Sequence, residues 1–391
     1  DNGTFGNIYR IFIMTSEFVH LHNHSDYSLL DGAQKIDQLV NTIDDLNMDA
    51  VALTEHGNMF SVLPYYKQAK KAGIKPIIGC EIYVAVGSRF EKKTRSDGGW
   101  GNNHLILLAQ NFTGYKNLMK LVTAGYLEGF YYRPRIDMDL LREYSEGLIC
   151  MSACLKGVVP EKMLKGDYEG ARKEALLFSE IFQDRYYLEI QNHGIPEEEQ
   201  NLKNMKKLSQ DLNLPLVCTN DAHYAKKEHW EAHDIHICLG TGKERSDPNR
   251  LRYATPEFYF KTQDEMHKLF KEFPGAIENT RKIADSIDIT LPIGESHLPN
   301  FPIPKEANTS DPDEYLKSIT ESGAQNLYGE ITPEIKKRMS HELNVIKNMG
   351  FAGYFLITAD FVEYAKKSSI PVGPGRGSAA GSLVSYALGI T

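Results

Sequence analysis

The chain has 391 residues, of which 41% are hydrophobic and 25% charged, with five cysteines and a formal net charge of −8. That mix suits a soluble protein that buries one large core or two ordinary ones, and no apolar run reaches the ~18 residues of a membrane span. The acidic balance excludes a globally basic nucleic-acid binder, and sparse cysteines without a CxxC pair exclude a disulfide scaffold and point to a reducing cytoplasm.

Residues 1–13 carry a short apolar patch (Ile8, Ile11, Phe12, Ile13) without the basic lead-in of a signal peptide. Met14, followed by Thr15, Ser16 and Glu17, reads as the true start, so 1–13 is expected to be a tag remnant or translated upstream sequence. From residue 18 to about 224, β-rich runs alternate with segments of helical period, the pattern of βαβ units with parallel strands. Strands are predicted at 18–22, 50–54, 76–83, 104–109, 147–152, 186–191 and 216–220, with helices at 36–46, 62–71, 115–124, 168–182 and 196–212. Seven such steps are one short of an eightfold barrel. The predicted fold is α/β, a distorted seven-stranded barrel, with an open doubly wound sheet as the alternative. From residue 285 the composition shifts to an extended connector rich in proline (Pro292, Pro299, Pro302, Pro304, Pro312). Beyond it helices are predicted at 314–329 and 333–349, then a strand-like run at 370–372, a glycine-rich turn and a helix from Ala379.

The chemistry lies where metal-ligand residue types meet those strands. His22 and His24 are two apart and so share one face of a strand, and Asp221 and His223 repeat the device at the seventh. His56 follows the second strand, Glu81 lies in the third, Cys154 ends the fifth and Asp31 follows the first pair within one loop. At the rim of a parallel barrel such residues converge. Any one histidine or cysteine of the set has a bland explanation as a satisfied or buried group; the set together does not. His104 fits less well, because it begins its apolar run instead of ending it. Glu189 and His193 flank the sixth strand as supporting or substrate groups. His229, His233 and His236 share a helical face, but Trp230 stands where a metalloprotease helix needs Glu, and they read as a surface helix.

The runs Phe18 to Ser25 (FVHLHNHS), Leu53 to Gly57 (LTEHG), Pro76 to Glu81 (PIIGCE) and Thr219 to Tyr224 (TNDAHY) resemble the polymerase-and-histidinol-phosphatase (PHP) domain. Gly129 to Arg135 (GFYYRPR) and the segment from Gly373 to Ser382 narrow the likeness to the N-terminal part of bacterial DNA polymerase III alpha subunits, the C-family polymerases. The resemblance implies a PHP domain over 14–285, a connector over 286–312 and, over 313–391, the start of a polymerase-beta-like palm. It implies up to three ions, Zn2+ with Mn2+ or Fe as other occupants, held by His22, His24, Asp31, His56, Glu81, His104, Cys154, Asp221 and His223. It further implies metal-dependent 3′–5′ exonuclease activity, with His22, His24, Asp221 and His223 as the catalytic residues. Gly377 and Ser378, with Arg376 beside them, become candidates for nucleotide binding at a helix start. For the full-length protein the resemblance implies template-directed DNA synthesis with Mg2+. Its partners would be primer-template DNA, deoxynucleoside triphosphates and, through other regions, a sliding clamp and further replisome subunits, with no membrane. The family's catalytic aspartate motif does not occur in these 391 residues, so the chain alone is not expected to polymerise. The rival readings are a free-standing phosphatase for a small phosphomonoester, which leaves 314–391 without a purpose, and a metal-braced scaffold without turnover.

Overall fold

The structure, a computed structural model, describes residues 16–94, 101–295, 298–375 and 377–391; the expected extension 1–13 and the start at Met14 lie outside them. The chain divides between Leu291 and Pro292 into two units. The first is built on strands β1 (Ala50–Leu53), β2 (Lys75–Ala85), β3 (Asn102–Ala109), β4 (Arg135–Ile136), β5 (Leu148–Met151), β6 (Tyr186–Ile190) and β7 (Leu216–Cys218). Around them lie α1 (Ile36–Asp45), α2 (Val62–Ala72), α3 (Phe112–Leu127), α4 (Met138–Glu143), α5 (Val158–Leu164), α6 (Tyr168–Phe182), α7 (Pro196–Leu212), α8 (Trp230–Thr241), α9 (Gln263–Phe270) and α10 (Ala276–Ser286). The strands read as near-continuous apolar runs because they are buried on both faces.

The helices start where local chemistry supplies the missing partners of their first N–H groups. The Asn111 side chain accepts from Gly114 at the start of α3, and that of Asp167 accepts from Gly170 at α6. Helix α7 begins with Pro196 and three glutamates that suit the positive end of its dipole. The core continues through Ile287, Ile289 and Leu291, which are buried with it.

The sheet order is β1-β2-β3-β5-β6-β7, with β4 on β2, and it curls into a half-barrel. Parallel pairing holds for β1 with β2, β5 with β6 and β6 with β7, but β3 runs antiparallel to both β2 and β5, against the all-parallel expectation. The cause is the connection from β2 to β3, which holds no helix among its described residues, and a parallel return needs such a crossover. The expected first strand at 18–22 is likewise not a ladder strand. Instead His20 bridges Val51 and Asn23 bridges Ala222, so this segment ties the β1 edge to the chain beyond β7. Backbone bonds of 2.8 Å (Ala52 N–H to His20 O) and 2.9 Å (His24 N–H to Ala222 O) fasten the two sides.

The second unit, Pro292–Thr391, is helical: α11 (Pro312–Tyr328), α12 (Pro333–Asn348), α13 (Ala352–Lys367) and α14 (Leu383–Ala387). Leu316, Ile346, Ala352, Leu356 and Val384 form its main core. The strand expected at 370–372 is absent, and the helix expected from Ala379 is a 3-10 turn over Gly377–Gly381 before α14. An isolated β-rich tripeptide has no neighbouring strand to pair with here, so its propensity finds no ladder.

Candidate metal centre

Eight of the residues singled out from the sequence fall into three overlapping groups. These are His24, His56 and His223; His22, His24, Glu81 and Asp221; and Glu81, His104 and Cys154, with the potential ligand atoms of each group within 4.8 Å of one another. Asp31 joins them, its carboxylate 3.2 Å from His56 Nε2 and 3.9 Å from His223 Nε2. Backbone geometry explains the convergence. His56 follows β1 and bridges Glu81 of β2. Asp221 and His223 follow β7, Cys154 follows β5, and His22 and His24 sit on the segment that joins the sheet's two edges. His104 is the third residue of β3, and because β3 is antiparallel its start lies at the same rim as its neighbours' ends, with His104 paired to Tyr83.

The imidazoles are aimed by partners behind them. Glu189 Oε1 lies 2.7 Å from His22 Nδ1, which directs His22 Nε2 toward Glu81 (2.9 Å) and Asp221 (3.2 Å). Glu189 is itself held by Thr219 and Gln191. Ser28 donates to Glu55 at 2.5 Å, so its oxygen can accept from His24 Nδ1–H at 3.0 Å and leaves His24 Nε2 facing the cluster. His223 Nδ1–H donates to the Asp221 carbonyl at 2.7 Å, which makes its Nε2 the lone-pair nitrogen. His193 lies outside the cluster. Its Nδ1 meets Glu198 at 2.6 Å and its Nε2 the Asn220 carbonyl at 2.9 Å, so it braces the backbone just before Asp221.

The residues fit bound cations. His24 Nε2, Asp31 Oδ1, His56 Nδ1, Glu81 Oε1 and Asp221 Oδ1 are buried and make no hydrogen bond, although charged neighbours surround them. Burying unsatisfied polar atoms is costly, and five in one place mark a site shaped for something else. Asp221 also adopts a left-handed backbone (φ 44°), a strained conformation of the kind that collects at functional sites. The charges couple strongly. Burial would lower the His22 pKa, but Asp221 and Glu189 outweigh it and hold the imidazole well above its usual range. Asp31 and Glu81 do the same for His56. Burial would raise Glu81, yet His104 and His56 keep it well below the carboxylate range. Burial dominates at His223, which drops to about 3, and at His104, which is also lowered. The Cys154 thiol is pushed well up by burial and by Glu81.

Some functional side chains carried no sequence signal. Tyr253, on a loop after α8, reaches His223 Nε2 at 2.9 Å and Asp31 at 3.3 Å. His233 is buried, not a surface residue as expected, and lies 2.7 Å from the Asp31 carbonyl oxygen; only His229 of its trio is exposed. A histidine facing inward from an amphipathic helix looks the same in sequence as one facing water. Gly377 and Ser378 are exposed in the second unit's 3-10 turn, and Arg376 lies outside the described residues. The next helix, α14, starts at Leu383, and there Glu342 accepts from Ser382 Oγ and Val384 N–H.

Residues 20–193 match the PHP domain family, and residues 314–391 match the bacterial DNA polymerase III alpha NTPase domain. The chain is 51% identical over 379 residues to the DNA polymerase III subunit alpha of Borreliella burgdorferi, covering 96% of this chain and 33% of that protein. It is 47% identical over 375 residues to that of Treponema pallidum, covering 96% and 32%. The chain thus spans about a third of the length of these curated relatives. A solved two-domain protein of Bacteroides vulgatus, described as containing a predicted PHP-like metal-dependent phosphoesterase, aligns over 68% of this chain and 63% of its own at 17% identity, with a TM-score of 0.33.

Proposed function

Over the length it spans the chain belongs to the family of bacterial DNA polymerase III alpha subunits, and from that premise we propose that its first unit is a metal-dependent 3′–5′ exonuclease. In this reading residues 14–285 are the PHP domain, 286–312 the connector and 313–391 the start of the palm. The observation that carries the reading is the cluster of buried, unsatisfied imidazole and carboxylate atoms at the base of an open cleft of about 1290 Å³.

The nine residues from His22 to His223 would hold up to three ions; five imidazoles and a thiol suit Zn2+, with Mn2+ or Fe as the other candidates. Such ions, when bound, supply an acidified water and neutralise phosphodiester charge. The chain's own groups do the rest. Glu189 and Ser28 hold His22 and His24 in one orientation and tautomer, and Asp221 is fixed in its strained backbone. Tyr253 lies within hydrogen-bond distance of both His223 and Asp31. In the hydrolysis, a water oxygen adds to phosphorus and the bond to the penultimate 3′-oxygen breaks. A nucleoside 5′-monophosphate leaves, and the freed 3′-oxygen takes a proton. The whole protein is proposed to act in the cytoplasm as the replicative polymerase, with Mg2+, primer-template DNA, deoxynucleoside triphosphates and a sliding clamp. No helix among the described residues is long and apolar enough to cross a membrane.

Elemental analysis of chelator-free protein, with degradation of 3′-labelled single-stranded DNA, tests the nuclease reading. His22→Ala and Asp221→Ala should each lower bound metal and cut cleavage at least ~100-fold, the scale on which losing a catalytic group is felt. Cleavage that persists after the metal is lost would place the activity elsewhere. Metal bound without any cleavage would leave a scaffold, and cleavage of small phosphomonoesters alone would leave a phosphatase.

A further inference from the structure

The cleft above the metal cluster is far roomier than ions and a small ester require. Its wall carries large rings turned to water: Phe60 is 64% exposed, Tyr126 39%, Phe130 48% and Tyr132 55%. They are not scattered. The Phe60 and Tyr126 rings are 6.4 Å apart between centroids, and those of Tyr126 and Phe130 are 6.2 Å apart and within 25° of coplanar. Exposed apolar surface gathered in a cleft marks a binding surface.

The loop that presents Phe130 and Tyr132 is rigidly built. Arg135 is buried and spends its guanidinium on the backbone carbonyls of Gly129, Arg89 and Glu91. Gly129 approaches so closely that a Cβ there would lie 1.8 Å from the Arg135 carbonyl oxygen. At the loop tip Tyr132 takes a left-handed backbone, φ 58°. A fold that buries a cation to brace a turn is holding the turn's side chains in place for use.

Charge complements the rings. Arg133, Lys156 and Arg252 line the same cleft, are exposed, and form no ion pair among the described residues. Two nearby acids are engaged elsewhere, Glu198 with His193 at 2.6 Å and Glu161 with Lys165 at 3.0 Å. The cleft mouth is therefore cationic in a chain of net charge −8. It is also continuous with the cluster: the Arg133 guanidinium stands 5.7 Å from the Tyr83 ring centroid, and that ring 5.2 Å from His104.

We propose that Phe60, Tyr126, Phe130 and Tyr132, with Arg133, form a stacking platform for the terminal bases of a single-stranded polynucleotide. Its backbone follows the cationic wall and its last phosphodiester enters the carboxylate–imidazole cluster. The orientation of the strand rests on the nuclease reading; the platform itself does not. Rings stack on any base, so the platform is sequence-tolerant, and it requires unpaired bases, so a duplex end must fray to use it.

The test uses the 391-residue chain and a DNA oligomer whose 3′-terminal base is 2-aminopurine, with a phosphorothioate last linkage to suppress cleavage. The wild type should bind it with fluorescence quenching, the signature of stacking. Phe130→Ala and Tyr126→Ala, both at exposed positions that the core does not need, should weaken binding about tenfold and abolish most of the quench. Arg133→Gln should weaken binding with a shallower salt dependence. Phe112→Ala, an exposed ring outside the cleft, should change nothing. Unquenched binding by the wild type, or full quenching by the ring variants, would overturn the platform. Quenching lost in the ring variants, but with no cleavage of an unmodified oligomer by the metal-loaded wild type, would uphold the platform and refute the nuclease.

Discussion

His22 and His56 show what the cluster does at the scale of a single side chain. Burial favours their neutral forms, but the adjoining carboxylates win, so both pKa values rise well above 6.5 in the metal-free chain. At neutral pH both then carry a proton. A cation needs the lone pair that the proton occupies, so uptake must expel it, and apparent affinity should climb with pH until the raised values are passed. His223 and His104, lowered by burial, contribute no such proton. Calorimetric titration at neutral pH in buffers of different ionisation enthalpy should therefore record net proton release, from His22, His56 and the Cys154 thiol. Binding with no proton release would contradict the charge arrangement described here.

Elements decide which residues can meet. The HxH and DxH pairs were legible as spaced pairs, although both lie outside the ladder strands, His22 and His24 on the bridging segment and Asp221 and His223 beyond β7. His104 was out of place in the sequence only because every strand was taken as parallel. One antiparallel strand, after a connection with no helix among its described residues, brings His104, third in β3, to the common rim. Tyr253 and Ser28 were illegible for a different reason: they come from loops, whose paths no periodicity records, and act through ligands instead of resembling them. The turn at 129–135 was legible as a motif but not as an object, since nothing in its letters reveals that Arg135 is buried. That element carries its own prediction. Gly129→Ala should cost about 1–3 kcal/mol through forced displacement of the turn, read as a lower Tm with metal content per chain unchanged, because the turn holds none of the cluster residues.

At the scale of the whole molecule, the division between Leu291 and Pro292 gives each unit its own core. Ligands stabilise only the unit that binds them. Calorimetric unfolding should show two transitions, and a chelator should lower the one that belongs to the first unit while leaving the second where it was. A single transition that moves as one would mean that the units unfold together.

The segment that joins the two edges of the half-barrel has a consequence for the chain's birth. His20 to His24 are among the first residues of the unit to leave a ribosome, yet Ala222, which accepts from His24 N–H, and Asp221 and His223 beside it emerge only after β7. Throughout the intervening synthesis two of the imidazoles must wait without Asp221, and the far edge of the sheet stays raw. Closure and the completion of two of the three ligand groups therefore arrive together, late in translation. A nascent chain cut short before that point would own the group of Glu81, His104 and Cys154 but lack the Asp221 and His223 that complete the other two.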